Sequence, residues 1–316
     1  MVSPAVTVLM PVYDPPIPML DRAVESVLAQ TFRDFELLLL DDGSGDEPVR
    51  ARLDWWALRD SRVRLFHEPH RGVPAASNRG LALARGEWIA RQDADDWSEP
   101  ERLFRQTAFL LEHPEVVLVG TDTESHSADG ALLWRLRLPH ASAELKQALW
   151  KGNPFVHGST MFRRRTAIEI GGYREALPCS SDYDFLWRLT EAGGAVNLEQ
   201  VLYHYRYTGG SISAQRAAGQ ALVHRAAQIL AGARRKGETE DVAAALAAAE
   251  AGTGSLAFRS LLKQADHVML AGDYSGARSA YFDVLRSHPW SGLAWAKMLR
   301  LGIFRAIPPA REACFR

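Results

Sequence analysis

Short apolar runs alternate with amphipathic stretches along the first part of the chain, and the alternation predicts strands and helices in turn. Val6 to Pro11 reads as a buried strand, and Leu20 to Leu28 carries apolar residues at helical spacing as far as Gln30-Thr31. Phe35 to Leu40 repeats the strand pattern and closes in Asp41-Asp42-Gly43-Ser44. There follow a polar helix, a strand from Val63 to Phe66, an Ala-rich helix from Pro74 to Ala84, a strand from Glu87 to Ala90, a helix from Pro100 to Glu112 and a strand from Val116 to Val119. Continuous apolar strands separated by helices predict βαβ units. The fold class is therefore α/β, a Rossmann-like, mostly parallel sheet with helices on both faces.

Beyond about residue 121 the alternation degrades. Leu132 to Leu138 reads as an antiparallel strand, Ala143 to Lys151 as a helix, Ser159 to Phe162 as a strand, Asp182 to Ala192 as a strongly periodic helix and Val196 to Tyr205 as a strand. From about Ala214 onward the chain reads as helix, rich in Ala, Leu and Arg. Leu270 to Pro289 resembles one tetratricopeptide-type hairpin, but a single copy is not an array. The expected division is a main domain over residues 1–213 and a C-terminal helical appendage over 214–316.

Net charge is −1 over 316 residues, which hides an asymmetry: residues 1–215 are acidic and 216–316 basic. No basic patch with interleaved aromatics appears in the first part, so nucleic acid is not an expected ligand. Cys179 and Cys314 are too few and too far apart for a disulfide framework, which favours a reducing, cytoplasmic setting. Neither a leader pattern nor a spanning apolar run is present. The tail allows two readings. Trp290, Trp295, Met298, Leu299, Ile303 and Phe304, flanked by Lys297, Arg300 and Arg305, suit peripheral contact with the inner face of an anionic membrane; the alternative is a helix packed on the body.

The candidate chemistry falls at strand ends, where open α/β sheets bind ligands. Asp93-Ala94-Asp95-Asp96 ends an apolar strand in three carboxylates, hard oxygen ligands suited to Mg²⁺ or Mn²⁺ held together with phosphates. The bland alternative is a turn that caps the next helix. Pro11-Val12-Tyr13 offers a ring to stack on a base, and a carboxylate in Asp41-Asp42-Gly43-Ser44 can accept the imide N–H of uracil. His70 to Gly80 opens a helix of small residues, with Arg71 and Arg79 placed to meet phosphate. Asp182 and Asp184 begin the Phe185-Leu186-Leu189 helix, where Asp182 is either an N-cap or a carboxylate able to take a proton from an attacking hydroxyl.

In this order the segments resemble the family-2 nucleotide-sugar glycosyltransferases with the GT-A fold, over about residues 5–211. Asn153-Pro154-Phe155-Val156-His157-Gly158-Ser159 to Arg164 looks like that family's acceptor-side strand. The resemblance implies an inverting, metal-dependent transfer from a nucleotide sugar, with UDP the default, to a glycan or lipid-linked acceptor in cell-surface glycan biosynthesis. It puts nucleotide contacts at Pro11, Val12, Tyr13, Asp41, Asp42, Arg71, Asn78, Asp93 and Ala94, metal ligands (Mn²⁺ or Mg²⁺) at Asp95, Asp93 and Asp96, and the catalytic base at Asp182. Two positions depart from the family pattern: Ser181 stands where an acid often precedes the base, and Thr208 where a histidine often adds a metal or phosphate contact. Among rivals, a sugar-phosphate nucleotidyltransferase would need a Gly-rich, Arg-containing loop after the first strand, and Val12-Tyr13-Asp14-Pro15-Pro16 is none. A dehydrogenase would need Gly-x-Gly-x-x-Gly there. A non-catalytic nucleotide-sugar binder or scaffold is the remaining alternative, and the joint retention of Asp95 and Asp182 argues against it.

Overall fold

Strand β1 (Val6–Val12) lies deep in a mixed sheet because its two faces are both apolar, and each is covered by a different set of helices. The computed structural model describes residues 3–127, 129–177, 179–206, 217–251, 261–262, 265–266, 269, 274–287, 289–304 and 312–314. Parallel pairing joins β1 to β2 (Phe35–Asp41) on one side and to β4 (Trp88–Arg91) on the other, and β2 to β3 (Val63–His67). Beyond β4 come β8 (Met161–Arg163), β6 (Val116–His126), β7 (Leu132–Arg137) and β10 (Glu312–Cys314). Strand β9 (Gly194–Arg206) runs parallel to β6 and carries the short antiparallel β5 (Trp97–Ser98).

Val8, Met10, Leu37 and Leu39 face helices α1 (Ile17–Leu28), α2 (Glu47–Arg59) and α4 (Arg102–Glu112). Leu9 and Leu38 face the opposite way, toward α3 (Val73–Leu83), α5 (Ser142–Ala148), α6 (Arg164–Glu169) and α7 (Ser181–Ala192). Burying each such aliphatic side chain contributes about 1.5–3 kcal/mol. The small residues of α3 let it approach closely: a Cβ on Gly80 would fall 2.3 Å from Leu9 Cδ1. The expected α/β architecture with helices on both faces is thus the one observed.

Some boundaries differ from expectation, for physical reasons. The strand expected to end at Val119 continues to His126, because the polar residues Thr121, Asp122, Thr123 and Ser125 are buried where β6 is paired along both edges. Ser159, expected in a strand, closes a 3-10 turn (His157–Ser159) just before β8. Among the described residues the C-terminal region contains α8 (Ala217–Lys236), α9 (Val242–Ala251), α10 (Tyr274–Ser287) and α11 (Gly292–Phe304). Helix α8 sets Ala227 and Ala231 against Tyr183 and Trp187 of α7, and Arg234 pairs with Glu191 and Glu240. Helices α10 and α11 have their own core of Ala277, Tyr281, Val284, Leu285 and Ala294. The expected boundary at 213/214, the Thr208 loop and the Leu270–Asp273 part of the tetratricopeptide-like hairpin lie outside the described residues.

Candidate active site

Four loops leave the carboxyl ends of β1, β2, β3 and β4 along one edge of the sheet, the edge at which open α/β sheets form their binding crevice. The turn after β1 is tied to the turn after β2: Asp14 accepts hydrogen bonds from the backbone N–H groups of Gly45 (3.1 Å) and Asp46 (3.0 Å), and its own N–H donates to Ser44 Oγ. Tyr13 projects from this rim, 53% exposed, and stacks on His70 at 4.2 Å. Gly43 has φ +74°, and a Cβ there would lie 2.5 Å from the backbone nitrogen of His70, so only glycine fits between the second and third loops.

The two carboxylates of the second loop already have partners within the chain. Asp41 is buried; it accepts from Ser44 N–H (2.9 Å) and meets His67 Nδ1 at 2.6 Å, a contact that raises the His67 pKa. Asp42 accepts from the N–H groups of Arg71 and Gly72, both at 2.9 Å, and so anchors the start of α3. The Arg71 guanidinium is exposed and pairs with Glu175, while Arg79 pairs with Glu68. Asn78 is committed to structure: it donates to Tyr173 carbonyl and accepts from Tyr173 N–H, both at 2.8 Å.

The Asp93–Asp96 turn is braced from beneath by Arg102. This fully buried guanidinium donates to Gln92, to Ser98 Oγ and to the carbonyls of Arg91 and Thr160, and burial lowers its pKa to about 10. Asp93 and Asp95 face the crevice, half-buried, with Arg91 donating to Asp93 at 2.9 Å. Ala94 is buried between them. Asp96 departs from its expected place among the metal ligands: both its oxygens are turned inward, accepting from Tyr203 Oη (2.8 Å) and Arg206 N–H (2.7 Å), so it ties the turn to β9. Burial, then the Asp93 carboxylate, push the Asp95 pKa up to about 6, and burial with the neighbouring carboxylates raises Asp96 well above the usual range.

Asp182 is the second residue of α7, not its cap; the cap position is Ser180, held in the left-handed region at φ +48°. The carboxylate is half-buried, accepts from Asn153 Nδ2 at 2.9 Å, and has its pKa raised to about 6 by burial and by Asp93. Asp184 is unlike it: wholly buried, it is clamped by Arg174 (3.0 Å) and Arg188 (2.8 Å) and is unavailable as an alternative base.

Several residues of this centre were not singled out from sequence. His157 meets Tyr173 Oη at 2.8 Å and is pushed well below the ordinary histidine pKa by burial and then by Arg91, so it is neutral. The Tyr173 hydroxyl is raised by burial and feels both Asp182 and Asp93. Gly158 lies against Asp93 and Tyr203; a Cβ there would fall 2.1 Å from Tyr203 Oη and 2.9 Å from Asp93 Oδ2. The Asn153–Arg164 segment was the only signal in the sequence, and it marked the segment without ranking its members.

A crevice at the carboxyl ends of parallel strands, with a D-x-D turn facing a carboxylate at a helix start, suits a nucleotide sugar and an attacking hydroxyl. The sequence profile for Glycosyl transferase family 2 matches residues 7–171. The chain belongs to this family. This family-2 glycosyltransferase is 34% identical over 208 residues to the putative glycosyltransferase EpsE of Bacillus subtilis, which spans 65% of this chain and 73% of EpsE. The chain spans only 17% to 23% of some longer curated relatives, among them the O-antigen biosynthesis protein RfbC of Myxococcus xanthus. The fold resembles that of the mannosyltransferase PcManGT from Pyrobaculum calidifontis, solved with GDP-Man and Mn²⁺, with TM-score 0.58 at 19% identity over 97% of this chain and 81% of that one. It also resembles TarS 1–349 of S. aureus in complex with UDP, with TM-score 0.54 at 17% identity over 94% and 88%. These likenesses make the fold GT-A. Among the described residues no helix is long and apolar enough to cross a membrane.

Proposed function

We propose that this glycosyltransferase moves a sugar from a UDP-sugar to a hydroxyl of a glycan or lipid-linked acceptor, with inversion, and that Asp182 is the base. The observation that carries the reading is the Asp182 carboxylate. It is fixed by Asn153 at the start of a helix packed on both sides, close enough to Asp93 to feel its charge, and its pKa of about 6 keeps it ionised but basic near neutrality. On attack, Asp182 takes the acceptor proton while the acceptor oxygen bonds to the anomeric carbon from the face opposite the diphosphate, and the carbon–oxygen bond to the diphosphate breaks as the nucleoside diphosphate leaves. His157, neutral, half-buried and braced by the buried Tyr173 hydroxyl, offers an uncharged hydrogen-bonding group for sugar or acceptor hydroxyls.

The residues fit a divalent cation. Asp93 and Asp95 are hard oxygen donors; burial and then the Asp93 charge raise the Asp95 pKa, and a dication would offset both. Mn²⁺ or Mg²⁺ held there would neutralise charge on the diphosphate leaving group. Asp96, its oxygens engaged by β9, supports the turn from behind. For the nucleotide, Tyr13 on His70 supplies a stacking platform. The buried Asp41 and Asp42 lie on the adjoining loop, where Asp41 Oδ1 and Asp42 Oδ1 each accept one backbone N–H and keep a second lone pair for an imide N–H. The neighbours' ligands include both UDP and GDP-Man, so the nucleobase assignment rests on that imide argument. Relatives named for O-antigen and amylovoran biosynthesis support a cell-surface glycan as the product.

A donor screen tests the proposal: UDP-, dTDP- and GDP-sugars with Mn²⁺, following sugar-nucleotide hydrolysis without acceptor. Turnover restricted to uridine or thymidine donors and abolished by chelator is expected. Turnover only of GDP-sugars overturns the uracil assignment, and absence of turnover alongside tight binding favours the non-catalytic binder.

A further inference from the structure

A second cluster of ligand atoms lies on β6 and β9, apart from Asp93 and Asp95. Glu124 and His126 are two apart on β6 and so share a face, and His204 of β9 lies directly opposite Glu124 in the strand register. His126 Nε2 is 3.1 Å from His204 Nδ1, Glu124 Oε2 is 3.3 Å from His204 Nδ1, and Glu124 Oε2 is 3.5 Å from His126 Nε2. The other nitrogen of each ring fixes its tautomer. His126 Nδ1 faces the Gly130 carbonyl at 3.1 Å, and a carbonyl brings no proton, so Nδ1 carries it and Nε2 is a bare lone pair. His204 Nε2 faces the Glu99 carboxylate at 2.7 Å, so Nε2 carries a proton and, in the neutral ring that a cation would bind, Nδ1 is bare. Two imidazole lone pairs and a carboxylate oxygen thus converge with no donor between them.

We propose that Glu124, His126 and His204 form a structural site for one borderline first-row dication of the Zn²⁺ type. The three contacts form a nearly regular triangle, and a point ~2 Å from all three atoms, the usual Zn–N and Zn–O bond length, lies just off its plane. Two nitrogens and one oxygen select Zn²⁺ or Co²⁺ over Mg²⁺ or Ca²⁺. The Gly130 carbonyl and Glu99 orient the ligating rings from behind, as partners of metal-bound histidines do, and Arg135 holds the other oxygen of Glu124 at 2.7 Å, leaving one oxygen to face the rings. Trp97 stacks on His204 at 5.1 Å and an interplanar angle of 9°, with Arg22 and Arg206 over its ring. The cation would therefore pin β6 to β9 and, through Trp97, steady the turn that presents Asp95.

The test uses the full chain, dialysed against chelator, without nucleotide. Co²⁺ titration followed by visible absorption should show one equivalent bound with nitrogen ligation, displaced by Zn²⁺, and binding should raise the melting temperature. His126→Gln and His204→Gln should abolish the Co²⁺ band, and Glu99→Gln should weaken binding ~10–100-fold, as loss of such an orienting partner does. Asp95→Ala should leave it unchanged, which separates this site from the donor-binding carboxylates. Should a histidine variant fold poorly by circular dichroism, Glu124→Gln keeps both rings and should weaken binding at least ~10-fold. No Co²⁺ band with the parent chain, a band that survives in both histidine variants, or loss on Asp95→Ala overturns the proposal. In the first case the rings share a proton and the cluster is a hydrogen-bonded strut.

Discussion

Replacing Asp182 with Asn separates catalysis from folding, because the two effects have opposite signs. The substitution keeps size and the acceptor for Asn153 Nδ2, and removes only the ability to ionise. In the fold burial and the Asp93 charge raise this carboxyl from 3.8 to about 6. A group whose folded pKa lies above its unfolded one holds its proton more tightly in the native state. Its favourable contribution is full below about pH 4 and is lost as pH rises through about 6; above that the parent carries a buried charge costing up to about 3 kcal/mol. Asp182→Asn has no such cost. Metal-free variant and parent should unfold alike in urea at pH 4, and the variant should be the more stable at pH 8, by about 1–3 kcal/mol after relaxation. Sugar transfer should fall by ~10²–10⁴, the usual worth of a general base, while calorimetric affinity for UDP with Mn²⁺ stays within about threefold of the parent. The parent's transfer rate should drop about tenfold per pH unit below about 6. Transfer at the parent rate would refute the base assignment, and a stability difference independent of pH would refute the electrostatic account.

Asp95→Ala should abolish the Mn²⁺-dependent part of UDP binding, and calorimetry giving equal affinity for parent and variant with and without Mn²⁺ would sink the metal assignment. Gly158→Ala forces a methyl into Tyr203 and Asp93, so it should lower stability by about 1–3 kcal/mol and disturb the D-x-D turn; a variant with parental unfolding midpoint and activity would contradict that packing. Asp184→Asn leaves the buried Arg188 without its counter-charge, while Arg174 keeps Glu240, and should cost about 3 kcal/mol in denaturant melts, far beyond any direct effect on the acceptor proton. Among the described side chains of α11 and the turn before it, Trp290, Leu293, Trp295 and Leu299 are exposed while Lys297 is paired with Asp266. Co-pelleting with anionic liposomes should be lost on deleting residues 287–316, and unchanged pelleting would exclude the tail as a membrane contact.

The sequence by itself determined the elements whose signal is local. Apolar runs such as Val6–Val12 and Phe35–Asp41 are strands because both faces are buried, and the D-x-D turn, the Asp41-Asp42-Gly43-Ser44 turn and the Asp182 helix are legible because each ends or begins such an element. Tertiary structure alone decided what each carboxylate does. Asp93, Asp95 and Asp96 are adjacent and chemically alike, yet two face the crevice while the third is held inward by Tyr203 and Arg206, more than a hundred residues away. Asp182 and Asp184 differ because two residues along the helix, about half a turn, rotate Asp184 onto Arg174 and Arg188. The polar run from Thr121 to His126 carries no apolar pattern and lies beyond the strand expected to end at Val119; it is strand because its neighbours supply backbone partners along both edges. That same pairing brings Glu124 and His126 against His204, a convergence that spacing along the chain could not reveal, since it depends on the register of two strands far apart in sequence.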